Sequence, residues 1–201
     1  MQIIGREERT MYSDSFQSQK LYENRCSKEQ SVRTASKQKL KLMLGCPHLV
    51  VLIGPETAHF ALGFLEMVYI GDDRDSEISV VCAKNNNLFL QLNTRLGSID
   101  NIHLYETADS LPLLLDSADL LVTEPFEQII FEAAKRKIPV VITRDMPKNT
   151  FPEYTDLVER ECIAVCKDDI GLAECCIALL QNDASRYHMK QRYRTVPFWE
   201  E

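Results

Sequence analysis

Four polar stretches, each following a short run rich in valine, leucine and isoleucine, hold most of the residues in this sequence that could bind an anion or a sugar. They are Gly54-Pro55-Glu56-Thr57-Ala58-His59, Ala83-Lys84-Asn85-Asn86-Asn87, Thr123-Glu124-Pro125-Phe126-Glu127 and residues 144–153. A phosphate held at a strand-to-helix turn needs close backbone approach, free amides and a helix N-terminus aimed at the anion, which is why such turns usually carry glycine. The first stretch has one glycine, Gly54, and the third has none. Glu127 stands where the next helix begins, where a carboxylate answers the helix dipole and repels a phosphate. Phe126 adds bulk. Glu124 and Glu127 thus read as ordinary first-turn acids, and together with Glu56 they would also suit an amine or a cation.

Lys84 and Asn85 offer a cation and an amide beyond the second run, although the turn and cap preferences of asparagine explain that loop without a ligand. In the last stretch Arg144, Lys148, Asn149 and Thr150 could hold an anionic or sugar-like group. Glu132, five residues into a helix-like stretch, has two oxygens able to accept from a ribose diol; on spacing alone it is equally an exposed helix acid. No nucleophile and base converge, since there is no Gly-x-Ser-x-Gly elbow, His-Glu-x-x-His or P-loop lysine. The seven cysteines form no Cys-x-x-Cys pair and sit mostly in apolar runs, as reduced core residues do. Cys162 and Cys166 would share one face of a strand, but two thiols make no metal site, and the four histidines lack ligand spacing. Neither a metal nor a cofactor is predicted.

Elements at regular intervals must position these loops. Apolar runs at 49–53, 78–82, 101–105, 119–123, 139–143 and 162–166 lack polar alternation, as strands covered on both faces do. Helix-period segments lie between them, at 61–69, 87–96, 110–118, 127–137, 153–161 and 168–183. The alternation predicts an α/β domain over residues 45–201, a doubly wound, mostly parallel six-stranded Rossmann-like sheet with ligands beyond the carboxyl ends of its strands. Residues 1–44 form an N-terminal extension, partly helical, whose basic stretch reads as a solvated helix face more readily than as a phosphate or peripheral membrane contact. Thirty acidic against 23 basic residues give a charge of −7, which weighs against nucleic acid as the main partner. No apolar stretch approaches the ~20 residues needed to span a bilayer, and the polar opening lacks a signal core, so a cytoplasmic protein is expected.

Several phrases in order carry a family resemblance: VVCAKNNNLFLQL, LPLLLDSADLLVTEPFEQIIFEAAKRKIPVVITRDMP and EYTDLVERECIAVCKDDIGLAECCIALLQND. Over about residues 40–185 the chain resembles the C-terminal, nucleotide-sugar-binding half of GT-B glycosyltransferases. The nearest branch is that of monogalactosyldiacylglycerol synthases and processive diacylglycerol glucosyltransferases. Cys82, Ala83, Lys84 and Asn85 match the family's Cys-Gly-x-Asn phrase near the base. Thr123, Pro125, Glu132 and Ala133 match its Thr-Lys-Pro-Gly-Gly, spacer, Glu-Ala phrase, which implies ribose binding for Glu132. Glu124 replaces the lysine, Phe126 and Glu127 replace the two glycines, Lys148-Asn149-Thr150 replace a Gly-Gln-Glu phrase, and the glycine-rich first loop keeps only Gly54. The resemblance implies a UDP-sugar donor, cradled by Gly54, Lys84, Asn85, Thr123, Glu132, Arg144, Asn149 and Thr150, and an acceptor-binding domain or subunit from another chain. The altered loops imply equally an inactive relative serving as a partner-binding or regulatory module.

Overall fold

The computed structural model describes residues 28–54, 57–143, 152–166 and 168–196. Six strands, β1 (His48–Leu52), β2 (Glu77–Val81), β3 (Ile102–Tyr105), β4 (Leu120–Thr123), β5 (Val140–Ile142) and β6 (Ile163–Val165), form one sheet in the order β3-β2-β1-β4-β5-β6. All five pairings are parallel. Each predicted strand is present, with its ends displaced by one residue at most. Parallel neighbours need a crossover, and the helices supply it. They are α1 (residues 28–40), α2 (Ala61–Gly71), α3 (Asn86–Leu96), α4 (Leu111–Ser117), α5 (Glu127–Lys135), α6 (Pro152–Glu159), α7 (Asp169–Gln181) and α8 (Asp183–Arg192). No helix among the described residues is long and apolar enough to cross a membrane.

The unbroken apolar character of β1 follows from burial on both faces. Leu49, Val51 and Ile53 enter one core cluster with Phe64, Leu92 and Leu172. Val50 and Leu52 enter the other with Ile130, Ala133 and Tyr193. A period of two thus feeds two helix layers from one strand. The Tyr193 hydroxyl reaches the carbonyls of Ile138 and Cys162, at 2.8 and 3.1 Å, and so satisfies a buried polar group.

The amino-terminal edge of the sheet is closed by polar side chains. His48 is fully buried between the Ser79 and Ser117 hydroxyls, each 2.9 Å from one ring nitrogen. Burial first, and the Lys37 charge second, push its imidazole down to about 3, so it is neutral in the folded protein. Helix α1 docks beside it through Lys37, whose ammonium donates to the Cys46 carbonyl at 2.7 Å and to Asp119 at 2.8 Å.

The structure departs from the sequence reading in two places. Cys162 lies in the core cluster of one face while Cys166 packs against the other, because β6 spans only Ile163–Val165 and both cysteines flank it where the chain turns. Helix α8 is a second departure. Its segment DASRYHMKQR carries almost no apolar period, and only Arg186 and Met189 are buried.

Candidate functional site

At the carboxyl edge, β1 and β4 are neighbours whose following connections lead to opposite faces, the arrangement that opens a ligand crevice in doubly wound sheets. The loops after these strands meet there. The Thr57 hydroxyl lies 3.1 Å from the Gly54 amide, and a turn at residues 57–60 leads into α2. Glu124, directly after β4, does not face solvent as a first-turn acid would. It is 4% exposed, and its Oε1 accepts from the Thr57 amide at 2.7 Å and from the Thr57 hydroxyl at 3.0 Å. Glu127, the first residue of α5, is exposed and does behave as an ordinary first-turn acid.

Gly54 is what admits the Glu124 carboxylate. A Cβ at residue 54 would lie 2.3 to 2.6 Å from both carboxylate oxygens and the carbon between them. Dinucleotide-binding loops use a glycine in this manner so that the backbone can approach a pyrophosphate. Here the anion that uses the close approach belongs to the chain itself. Thr57, which sequence reasoning left unassigned, is therefore the residue that receives it. Its pairing with a glutamate 67 positions away has no local signal in the sequence.

Thr123 is fully buried, and its hydroxyl donates to the Glu124 carbonyl at 2.9 Å. It holds the turn carrying Glu124. Phe126 is 43% exposed and caps α5 without a side-chain hydrogen bond. Among the described residues the enclosed space at this edge is about 10 Å³, lined by Ile53, Thr57, Phe64, Val122, Thr143 and Leu172. That is about the room one water needs.

The loop after β2 retains a conformation that its residues disfavour. Ala83 and Lys84 both have positive φ, 46° and 67°. A side chain there costs on the order of 1 kcal/mol per residue, which glycine avoids. The Asn85 side chain accepts from the Leu88 amide at 3.1 Å and caps α3, and the Lys84 amide is held by the Glu106 carbonyl at 2.8 Å. The loop is thus shaped by its own hydrogen bonds. Cys82, at its start, is buried, and burial pushes its thiol up to about 11.

Glu132 stands apart from these three loops. Its carboxylate turns toward the C-terminal end of α5, pairing with Arg136 and, at 3.1 Å, with Lys135. Those hydrogen bonds, Arg136 foremost, hold it below the usual carboxylate range. Arg136 in turn donates to Asp116 at 2.8 Å. Gly54, Thr123 and Thr57 converge on Glu124, Lys84 and Asn85 shape the neighbouring loop, and Glu132 belongs to a separate ion-pair chain. Arg144, Asn149 and Thr150 lie outside the described residues.

No protein-family model and no curated protein sequence matches the chain. Solved structures share its fold. The C-terminal CMP-Kdo binding domain of WaaA from Acinetobacter baumannii matches with a TM-score of 0.64 at 13% identity, over 85% of this chain and 98% of that one. WaaG, a glycosyltransferase involved in lipopolysaccharide biosynthesis, gives 0.63 at 18% identity, over 82% of this chain and 46% of that one. S. aureus MnaA, solved with UDP, gives 0.60 at 16% identity, over 74% and 41%. The chain thus spans less than half the length of WaaG and of MnaA. The likeness establishes the fold, a Rossmann-like domain matching the C-terminal half of GT-B glycosyltransferases.

Proposed function

We propose that this chain is a GT-B donor-type domain that no longer transfers sugar and serves as a protein-partner or regulatory module, its phosphate seat filled from within by Glu124. The observation that supports this reading is the carboxylate seated over Gly54 and bonded to the Thr57 amide and hydroxyl. An anion is already bound there, covalently tethered and desolvated. A diphosphate oxygen placed about 4 Å from it would meet a repulsion of about 4 kcal/mol at an effective dielectric near 20. That corresponds to roughly a thousandfold loss of affinity. The functional unit in this reading is residues 45–201, with residues 1–44 as an extension and the cytoplasm as the setting.

Calorimetric titration with UDP and UDP-hexoses tests it. The unaltered protein gives no saturable heat at millimolar ligand. Glu124→Ala, with Phe126→Gly and Glu127→Gly added in a second variant, gains measurable UDP affinity as charge and bulk leave the seat. Micromolar UDP binding by the unaltered chain would overturn the proposal.

A second reading keeps the UDP-sugar and adds an acceptor-binding domain or subunit from another chain. What favours it is the overlap with an isolated sugar-nucleotide-binding domain along nearly its whole length. The finer assignment, to the branch that glycosylates diacylglycerol, rests on the sequence phrases alone. The same titration separates the two readings, because only the second requires binding without mutation.

A further inference from the structure

A cavity lies on the opposite edge of the sheet from the loops described above. It measures about 500 Å³ and is bounded by α1, α8 and the residues leading into β1 and β4. Volumes of this order are typical of small-molecule sites. Its centre is Asp119, a largely buried carboxylate on which three cations converge. Arg33 lies at 3.2 Å, Lys37 at 2.8 Å and Lys190 at 3.8 Å. On the same wall Arg74 and Arg186 share the single carboxylate of Asp183. Five cations thus share two carboxylates in a protein whose net charge is −7, with Glu29 on the cavity wall paired to Lys137 and Asp72 and Asp73 also acting on Arg74.

A solvated basic face does not have this geometry. Cations on such a face spread into water, whereas here Arg33 and Lys190 have side chains only 17% and 20% exposed. The buried Nε of Arg33 has no hydrogen-bond partner among the described residues. The guanidinium groups of Arg33 and Arg74 are forks matched to phosphate oxygens. Lys37 and Arg186 are anchored by backbone carbonyls, Lys37 on Cys46 and Arg186 on Leu179 and Leu180, so the charges are held in place before any ligand arrives.

We propose that this amino-edge cavity binds a compact polyanion bearing clustered phosphates, with Arg33, Arg74 and Lys190 as its direct contacts and Lys37 and Arg186 as positioning residues. The ligand brings negative charge to cations that share Asp119 and Asp183 between them. Clustered phosphates occur both in free metabolites and on phosphorylated inositol lipid headgroups, and the docked helix α1 forms one rim in either case. Consistent with a site awaiting an anion, burial and the neighbouring Arg33 hold the Lys190 ammonium down at about 8 despite Asp119.

The test titrates the full chain at low ionic strength with inorganic triphosphate and, in a second arm, with phosphatidylcholine vesicles carrying a few per cent of a phosphorylated inositol lipid. Saturable triphosphate binding that weakens steeply with added salt supports the proposal with a soluble ligand. Vesicle binding that triphosphate competes away supports it with a headgroup. Arg33→Gln combined with Lys190→Gln is expected to lower affinity at least tenfold, while Arg95→Gln, an exposed cation on α3, leaves it unchanged. Thermal melts of each variant confirm that the fold is kept. The proposal is overturned if neither probe binds at millimolar triphosphate, or if the folded double variant binds as well as the parent. Neither outcome bears on UDP, whose titration reads the other edge.

Discussion

Gly54→Ala is the most direct probe of the internal anion. The added Cβ would lie 2.3 Å from Oε2, 2.4 Å from the carboxyl carbon and 2.6 Å from Oε1 of Glu124, far inside contact distance. The carboxylate must withdraw, and its hydrogen bonds to the Thr57 amide and hydroxyl are lost. A hydrogen bond to a charged group contributes about 1.5–3 kcal/mol, and rehydration of the displaced carboxylate returns part of that, so a net loss of about 3 kcal/mol is expected. Glu124→Ala alone removes the same bonds without a clash and costs about 2 kcal/mol. In the double variant the alanine methyl enters the space the carboxylate has left. Its stability should therefore match that of Glu124→Ala. The coupling in the double-mutant cycle is then about 3 kcal/mol, well above the few tenths found between independent sites. Urea unfolding followed by circular dichroism measures all four corners. If the double variant falls near the sum of the two single losses, the carboxylate does not sit over Gly54 and the self-filled seat is wrong.

Three further outcomes follow from the same structure. His48 is neutral in the fold, with its pKa lowered from 6.5 to about 3, so only the unfolded chain gains a proton between those values. Stability is full above pH 6.5 and falls as pH drops toward 3, by about 1.4 kcal/mol per unit, and a denaturation midpoint that stays flat from pH 6.5 to 4.5 would refute the burial argument. Lys190 has the same sense in a higher window: lowered from 10.5 to about 8, it makes the unfolded state the better proton binder between those values, so stability rises with pH there too. Lys190→Gln should abolish the rise, as urea titrations at pH 7.5 and 10 would reveal. Finally, Ala83→Gly should raise stability by about 0.5–1 kcal/mol by relieving the positive φ, less the extra freedom glycine has when unfolded, and a lowered midpoint would show that the methyl group is needed there.

The parallel sheet was legible because strands buried on both faces leave a signal that local sequence can carry. LVVLI has no polar residue to assign to water, and the structure buries every residue of β1. Helix α8 left no such signal, since a helix that buries one arginine and one methionine lacks the apolar stripe by which helices are found. Glu124 marks the same limit at the site. Its replacement of a basic residue was visible, but its direction was not, because whether a loop carboxylate faces water or turns inward depends on what lies across the crevice. Thr57 and Gly54 decide that, and they sit in the loop after β1, Thr57 67 residues from Glu124 in sequence and near it only through the β1–β4 pairing.

The two edges of the sheet have exchanged electrostatic roles for one physical reason. In a doubly wound domain the amides and helix N-termini at the carboxyl edge favour an anion, and here one is supplied by Glu124 and needs no ligand. In the proposed reading, burying that carboxylate satisfies the crevice and removes its attraction for a second anion. At the amino edge the helix C-termini make the potential negative, which stabilises cations, and α1 and α8 bring more of them than Asp119 and Asp183 can match. Repulsion between Arg33 and Lys190, offset in part by Asp119, falls further when another negative charge arrives. An edge that begins with unmatched cations in a formed cavity therefore has the stronger remaining drive to bind an anion, although the fold alone would assign that drive to the other edge.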